Sequence, residues 1–298
     1  MSFPRIILGL LFCVSAILKL ISLSDFELYI FSFGLASFDV CSFAARLLIA
    51  FEAILGLGLV SGWRRKPTNW TTALVLVVFS SFLIWRIALK DEESCHCFGS
   101  LVEMNPVESL IKNGVFGILL LLGWKGGEIP LGHRARLWIA SVLSVGIIAL
   151  SFGINPPDYF YRIAKGASAD LNAEEFSRTN LGIEGKKVVC FFSTQCEHCH
   201  RCVAKVAGII KRNSLNESDF LCIFLQNGET TDTDIREFYD AYSSGLSLPC
   251  TTLDPLTFIN LTNGSMPLVC LVSGNNLIKE FDLLTLDESC LAEFLLNE

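Results

Sequence analysis

The chain has 298 residues, of which 52% are hydrophobic and 18% are charged, and its formal net charge is −7. This length suits two modest domains, and so large an apolar excess is typical of membrane-spanning helices. Residues 181–298 hold 16 acidic side chains against 8 lysines and arginines and form no basic stripe, which argues against nucleic acid as a partner.

Five apolar stretches are long enough to cross a bilayer, which takes about 20 mostly apolar residues. They are Pro4–Ser22, Ala44–Gly62, Thr71–Leu89, Val107–Trp124 and Leu137–Ile154. No small-x-small cleavage site follows the first apolar core, so we interpret this stretch as a retained span and not as a signal peptide. The sequence therefore predicts a helical membrane region that has the lipid bilayer as its partner.

The charges of the connecting loops predict the orientation of the spans, because cytoplasmic loops carry an excess of lysine and arginine. Basic residues follow spans two and four, whereas acidic residues follow spans one and three. The basic residues are Arg64, Arg65, Lys66, Lys125, Arg134 and Arg136, and the acidic ones are Asp25, Glu27, Asp39, Asp91, Glu92 and Glu93. We therefore predict a multi-pass protein of the cell membrane (the inner one in a cell with two), with a cytoplasmic N-terminus and an extracytoplasmic C-terminal domain.

After the fifth span the composition changes to that of a soluble region. Residues 155–180 begin with Asn-Pro-Pro and continue as a polar stretch, which predicts a linker of largely irregular chain. Residues 181–298 are typical of an α/β domain. The predicted strands are Lys186–Ser193, Phe220–Leu225, Met266–Val272 and Asn276–Phe281, and the predicted helices are Cys199–Arg212, Asp232–Tyr242 and Glu288–Leu296.

The most specific motif of this domain is Cys196-Glu197-His198-Cys199. A buried strand is predicted to end just before it, and a helix to begin at about Cys196. The first thiol then lies at a helix N-terminus, where free N–H groups and the helix dipole stabilise a thiolate. Because the second thiol follows one turn later, the pair can alternate between a dithiol and a disulfide.

The order of strand, C-x-x-C and helix resembles the thioredoxin superfamily, and the resemblance extends over residues 181–298. It includes Met266-Pro267, where the family has a cis-proline opposite its cysteine pair. The resemblance implies that Cys196 is the attacking thiol and Cys199 the resolving thiol. It also implies that Met266 and Pro267 contact the substrate chain.

Three residues beside the cysteines depart from the thioredoxin pattern, and two of them, Glu197 and His198, are expected to tune the pair. Gln195 stands where thioredoxins usually have tryptophan, and Glu197-His198 replaces the Gly-Pro of the reducing thioredoxins. A histidine at this place resembles the oxidising members, since a nearby cation favours the thiolate and hence the reduced form. Glu197 acts in the opposite way, so these residues leave the redox direction open.

The same segment has an alternative interpretation as a zinc or copper site. Its ligands would be Cys196, Cys199, Cys202, His198 and His200. A structural zinc site usually draws its ligands from two separated pairs, and the sequence has no second C-x-x-C. We therefore favour redox chemistry without a metal, and we expect Cys202 to be a buried packing residue and not a second resolving thiol.

A second cysteine motif, Cys95-His96-Cys97-Phe98-Gly99, lies in the outer loop between spans three and four. A C-x-C disulfide closes a small, strained ring, so Cys95 and Cys97 should exchange disulfides readily. This loop faces the same predicted compartment as the α/β domain. The alternative is a pair of loop cysteines that only bind a metal or form a static bridge.

The second motif and its surroundings resemble the MauE branch of the DoxX-like membrane proteins over about Met1–Trp124. The matching features are the Cys-x-Cys-Phe-Gly loop, Lys112-Asn113 at the start of the next span, and Arg46, Glu52, Gly56 and Gly58 in span two. The resemblance implies a four-span bundle in residues 1–125 that is associated with disulfide formation in partners outside the cytoplasm. The fifth span, within residues 126–154, would then be an added tether.

Three ionisable residues fall inside predicted spans two and three, where such groups are costly and usually mark a functional site. Arg46, Glu52 and Arg86 could bind a quinone oxygen or stabilise a thiolate. The alternative is that the two arginines extend to the lipid headgroups while Glu52 pairs with a neighbour.

The two motifs together suggest an electron relay. In the oxidative interpretation, which we favour, Cys196/Cys199 takes electrons from cysteine-containing extracytoplasmic proteins and passes them to Cys95/Cys97, which a membrane quinone reoxidises. A linker of about 26 flexible residues would reach roughly 25–30 Å and bring the pairs together. A reductive relay needs thiols accessible from the inner side, and only Cys13 is intramembrane. A metal-binding maturation factor without redox turnover is the other alternative.

Overall fold

The computed structural model describes residues 3–62, 64–89, 104–124, 133–165, 171–179, 181–228, 231–243 and 245–297, with the backbone alone at 133–141. By compactness the chain divides into two units. The first comprises Met1–Glu27 and Phe43–Pro156, and the second comprises Leu28–Ser42 and Pro157–Glu298.

The first six helices include the predicted spans. They are α1 (Phe3–Ile21), α2 (Leu23–Ser32), α3 (Phe38–Ser61), α4 (Arg65–Ala88), α5 (Pro106–Gly123) and α6 (His133–Gly153). Helices α1, α3, α4 and α5 are each long and apolar enough to cross a membrane, as predicted. In α6 the described apolar side chains cover Val142–Gly153, so the fifth span stays a prediction.

The membrane helices pack through small residues and leave large apolar side chains on the outside. A Cβ atom at Gly9 would lie 2.7 Å from the carbonyl oxygen of Gly56, so that only glycine lets α1 and α3 approach this closely. On α1, Leu8 and Phe12 are buried whereas Leu10 and Ile17 are exposed. An apolar outer surface of this kind suits lipid as the surrounding solvent.

The second unit is an α/β domain built on a five-stranded sheet. Its strands are β1 (Lys186–Phe192), β2 (Phe220–Leu225), β3 (Cys250–Leu253), β4 (Leu268–Ser273) and β5 (Asn276–Phe281), in the order β3-β2-β1-β4-β5. Strands β1, β2 and β3 are parallel, and β4 is antiparallel to both β1 and β5. The fold class predicted from the sequence, a helical membrane bundle followed by an α/β domain, is confirmed.

Helices cover both faces of this sheet and place the cysteine motif at the end of its central strand. They are α7 (Asp158–Lys165), α8 (Ala173–Arg178), α9 (Glu197–Asn213), α10 (Asp232–Tyr242), α11 (Pro255–Thr262) and α12 (Glu288–Leu296). Strand β1 is buried on both faces, as its continuous apolar run predicts. The thiols of Cys190, Cys222 and Cys270 are buried with the strands, as expected of cysteines that behave as small hydrophobes.

The expectation of an irregular linker at residues 155–180 is wrong, because α7 and α8 form there. Asp158 lies in the first turn of α7, and the side chain of Asn172 caps α8 by accepting a hydrogen bond from the Glu175 N–H. Phe176 is buried in the core of the second unit, on the sheet face that also holds Phe258. The reach calculated for a flexible linker therefore does not apply to these helical segments.

The segment Leu28–Ser42, which the sequence analysis assigned to the membrane bundle, groups with the second unit. Its side chains Phe31, Phe38 and Cys41 belong to the core that also contains Cys199. A Cβ atom at Gly208 would lie 2.4 Å from the Phe31 ring, so the glycine makes room for this aromatic side chain. The second unit is therefore assembled from two separate stretches of the chain.

Candidate active site

The Cys196 thiol sits at the N-cap of α9 and is partly exposed. Its sulfur accepts a hydrogen bond from the Cys199 N–H, with an N···S distance of 3.3 Å. A helix N-terminus stabilises negative charge through its free N–H groups. Cys196 is therefore the accessible thiol of the pair, and its role as the attacking thiol stays a prediction.

The Cys199 thiol is fully buried one turn along α9. Burial, followed by its hydrogen bond with Cys196, raises the pKa of Cys199 well above its usual value, and the Ser193 N–H, at 3.5 Å from its sulfur, acts in the opposite direction. A buried thiol that holds its proton does not meet a partner protein directly. This asymmetry fits Cys199 as the resolving thiol.

Met266 and Pro267 lie next to the end of the strand that leads to the cysteine motif. Antiparallel pairing of β1 with β4 sets Phe191 opposite Leu268, so Pro267 lies beside the end of β1. The Met266–Pro267 peptide bond is cis, as the resemblance implied. Met266 and Cys196 both pack against the same core cluster, and contact of Met266 and Pro267 with a substrate chain stays a prediction.

His200 connects the turn that precedes Cys196 to an aromatic cluster on α10. The His200 ring stacks on Tyr242, with ring centroids 4.0 Å apart and an angle of 7° between the planes. Its Nε2 is 2.8 Å from the carbonyl oxygen of Thr194, and Phe238 lies edge-on to the ring. Phe238 and Tyr242 were not predicted to be part of the site, although their spacing of four residues on α10 places both on one helix face.

The two residues between the cysteines are on the surface. Glu197, whose side chain is 75% exposed, accepts a hydrogen bond from Arg201 one turn later, with an N···O distance of 2.8 Å. An exposed ion pair of this kind contributes little free energy. His198 is exposed, whereas His200 is engaged with Thr194. Within the ranges that the structure describes, no three His, Cys, Asp or Glu side chains are arranged to hold a metal ion.

Behind the cysteine pair, α9 carries a buried thiol and a buried amine. Cys202 is fully buried, as expected of a packing residue. Burial raises the pKa of Cys202 to about 12, against the opposite effect of the nearby Lys205 ammonium. Lys205, which the sequence analysis missed, is 1% exposed and lies 2.8 Å from a carboxylate oxygen of Asp158. Its contact with α7 anchors the helix that carries the cysteines.

Arg46 and Glu52 each form an ion pair within the membrane bundle. Arg46 is fully buried and donates hydrogen bonds to the Glu27 carboxylate and to the Asn155 carbonyl. Glu52 accepts a hydrogen bond from Lys19 at 2.6 Å, which agrees with the alternative that it pairs with a neighbour. Arg86 is also buried, and a role of Arg46, Glu52 and Arg86 toward a quinone stays a prediction. Glu27 was not predicted as a partner of Arg46, because its position among the acidic residues after span one indicates a loop and not α2.

The second predicted thiol pair, Cys95 and Cys97, lies outside the described residues. Each of the ten cysteines within them is a free thiol. Exchange of disulfides between the two motifs therefore stays a prediction that rests on the sequence.

Comparisons with known proteins bear first on the membrane bundle. Residues 1–126 match the family described as methylamine utilisation protein MauE, over the part where the sequence showed that resemblance. The chain is also similar to Protein TlpB of Flavobacterium psychrophilum, with 24% identity over 339 residues, 94% of this chain and 90% of the relative. No solved structure matches the chain significantly. The MauE match and the four membrane-spanning helices together identify a multi-pass membrane protein.

Proposed function

We propose that the protein is a membrane-bound thiol–disulfide oxidoreductase whose active pair is Cys196 and Cys199. The observation that carries the proposal is the asymmetry of the pair: a partly exposed thiol caps α9, and a fully buried thiol follows one turn later. The similarity to Protein TlpB supports it, because that alignment extends over 94% of this chain and so includes both units.

The reaction is an exchange of disulfides with a protein that carries two thiols. A thiolate of that client attacks the Cys196 sulfur of the oxidised pair, a client–Cys196 bond forms, and the Cys196–Cys199 bond breaks. Cys199 leaves with the electron pair and takes up a proton, which its raised pKa favours. The second client thiolate then closes the client disulfide and releases Cys196. Two electrons have passed from the client to the pair.

We propose further that Cys95 and Cys97 accept these electrons by a second exchange, and that a membrane quinone takes up two electrons and two protons to reoxidise them. Loop charges support a common extracytoplasmic compartment for both pairs, and the strained C-x-C ring supports electron flow toward the membrane motif. The sequence places only Cys13 inside a predicted span. A reductive relay from the cytoplasm would therefore lack a pair of thiols within the membrane to carry its electrons.

Trapping of a mixed disulfide tests the proposed activity. A Cys199→Ser variant cannot form the Cys196–Cys199 disulfide, but its Cys196 can still attack a disulfide of a client, which is the reverse of the exchange above. Because the second thiol that would complete this reverse exchange is absent, we expect covalent client–Cys196 adducts that a reductant releases. The matched control, Cys196→Ser with Cys199→Ser, should form none. Adducts in equal amount in both variants, or in neither, would contradict the assignment of the pair.

The redox state of Cys196 and Cys199 in growing cells tests the direction. We expect a predominantly oxidised pair that becomes reduced when quinone synthesis is blocked or when Cys97 is replaced by serine. A pair that is reduced in normal cells, and that Cys97→Ser leaves unchanged, would favour the reductive direction.

A further inference from the structure

A basic cavity of about 800 Å³ lies where α4 begins and α5 ends. Its lining includes Arg64, Arg65, Lys66, Asn69, Trp70 and Trp124. The volume falls within the range of small-molecule sites, about 300–1,000 Å³. All of these residues belong to the membrane bundle, and the thiol chemistry proposed above uses none of them.

The basic side chains of the cavity lack a carboxylate partner among the described residues, and one of them is fixed by hydrogen bonds. Arg65 donates hydrogen bonds from Nε and Nη2 to the Trp124 carbonyl, with N···O distances of 3.1 Å and 2.5 Å, which joins the start of α4 to the end of α5. Arg64 and Lys66 are exposed, and no carboxylate in the part of the chain that the structure describes pairs with either. Three cationic groups therefore converge with no anionic partner among the described residues.

Two indole rings form an apolar wall beside these cations. Trp70 and Trp124 meet edge to face, with ring centroids 5.4 Å apart, and Trp70 is 67% exposed. Because α4 and α5 are both long and apolar enough to cross a membrane, this cavity lies at an end of two membrane-spanning helices. Tryptophan at such ends sits at the level of the lipid headgroups.

The lining also contains a buried polar group that lacks a donor. Asn69 is 2% exposed, and among the described residues none donates a hydrogen bond to its Oδ1. A buried acceptor without a donor costs about 1–3 kcal/mol. A ligand that brings a hydroxyl group beside its anionic group would supply that donor.

We propose that this cavity binds the headgroup of an anionic phospholipid whose phosphate carries a hydroxyl-bearing alcohol, as in phosphatidylglycerol. The phosphate takes the charges of Arg64, Arg65 and Lys66, the hydroxyl faces Asn69, and the indoles contact the glycerol and the first acyl carbons. Basic pockets between membrane helices bind such headgroups. Lipid is favoured over a soluble phosphate compound because both helices that form the cavity have apolar outer faces suited to a bilayer.

Lipid titration of the full-length protein in a neutral detergent tests the proposal. The probes are phosphatidylglycerol, phosphatidylcholine of the same chain length and inorganic phosphate, and binding is followed by native mass spectrometry. We expect phosphatidylglycerol to bind more tightly than phosphatidylcholine. In Arg64→Gln with Lys66→Gln its dissociation constant should rise about 20- to 30-fold, since each basic side chain near the surface contributes about fivefold.

The matched control removes two exposed positive charges from the second unit, Arg178→Gln with Lys211→Gln, and should bind phosphatidylglycerol like the unaltered protein. Equal binding of the two lipids, or full binding by the Arg64/Lys66 variant, would overturn the proposal. Competition by inorganic phosphate at the concentration of the lipid would instead assign the cavity to a soluble phosphate and overturn the choice of lipid. If the double variant does not fold, Arg64→Gln alone decides, with an expected loss of about fivefold.

Discussion

Replacement of Asp158 by asparagine should destabilise the second unit, because it leaves the Lys205 ammonium buried without a counter-charge. Lys205 is 1% exposed, its Nζ lies 2.8 Å from Asp158 and 3.3 Å from the Leu283 carbonyl, and the Phe38 ring centroid is 4.1 Å away. Removal of one partner of a buried ion pair costs about 3–5 kcal/mol. The contacts with Leu283 and Phe38 remain, so we expect the lower end of this range, about 3 kcal/mol.

Labelling of buried thiols in the folded full-length protein measures this loss. Cys202 and Cys222 are fully buried and react with an alkylating reagent only when the second unit opens, so their labelling rate reports the opening free energy. A loss of about 3 kcal/mol raises that rate about 10²-fold. As a control, Glu174→Gln breaks the exposed pair with Arg178 and should change the rate by less than about threefold.

A double-mutant cycle separates the ion pair from other effects of the substitution. Lys205→Met keeps the apolar stem and removes the charge, so in combination with Asp158→Asn it should recover part of the stability lost in Asp158→Asn alone. If Asp158→Asn labels no faster than Glu174→Gln, then α7 is not docked on α9 as described. The segment would then behave as the loose linker that its sequence suggested.

Three further predictions concern the thiols, the aromatic contact and the bundle. Burial raises the pKa of Cys202 from 9.0 to about 12, so the contribution of the protonated Cys202 thiol to the stability of the second unit is full below about pH 9. Between pH 9 and pH 12 that contribution falls by about 1.4 kcal/mol per pH unit. In Cys202→Ala the opening free energy measured by thiol labelling should therefore fall less steeply above pH 9, and an unchanged slope would refute this. His200→Phe keeps an aromatic ring on Tyr242 but loses the hydrogen bond to Thr194, so the reaction of Cys196 with a small disulfide should slow about fivefold. His200→Ala loses both contacts and should slow this reaction further. Identical rates in the unaltered protein and both variants would show that His200 does not position Cys196. Arg46→Met removes the buried ion pair with the Glu27 carboxylate and should cost about 3–5 kcal/mol in detergent unfolding. Adding Glu27→Gln should recover part of this loss, and no loss would show that the pair is not formed.

The parts of the fold that could be predicted are those encoded in local patterns. The four membrane helices follow from the length of their apolar runs, and β1 from a continuous run of buried residues. Cys196 at the start of α9 and Pro267 at the start of β4 follow from motifs in which a few adjacent residues specify the backbone. These features can be predicted without knowing which residues pack against them.

The parts that could not be predicted depend on partners far apart in the sequence. Asp158 lies 47 residues from Lys205, and its buried position is not evident in a polar stretch that begins with prolines. Glu27 follows the first span as one acidic residue among several, and only the fold brings it to Arg46. The stack of His200 on Tyr242 likewise joins two helices. In each case the local sequence is compatible with an exposed side chain, and the tertiary contact decides.

The segment Leu28–Ser42 shows most clearly how a non-local contact changes the interpretation of the chain. Phe31 fills the space above Gly208, the Phe38 N–H donates a hydrogen bond to Glu288, and Asp39 pairs with Arg162. A fragment that begins at Pro157 lacks Phe31, Phe38 and Asp39 and exposes the apolar surface that the two rings cover. The unit that carries Cys196 is therefore complete only when residues encoded between the first two spans are present. For this reason the redox pair has to be studied in the full-length chain.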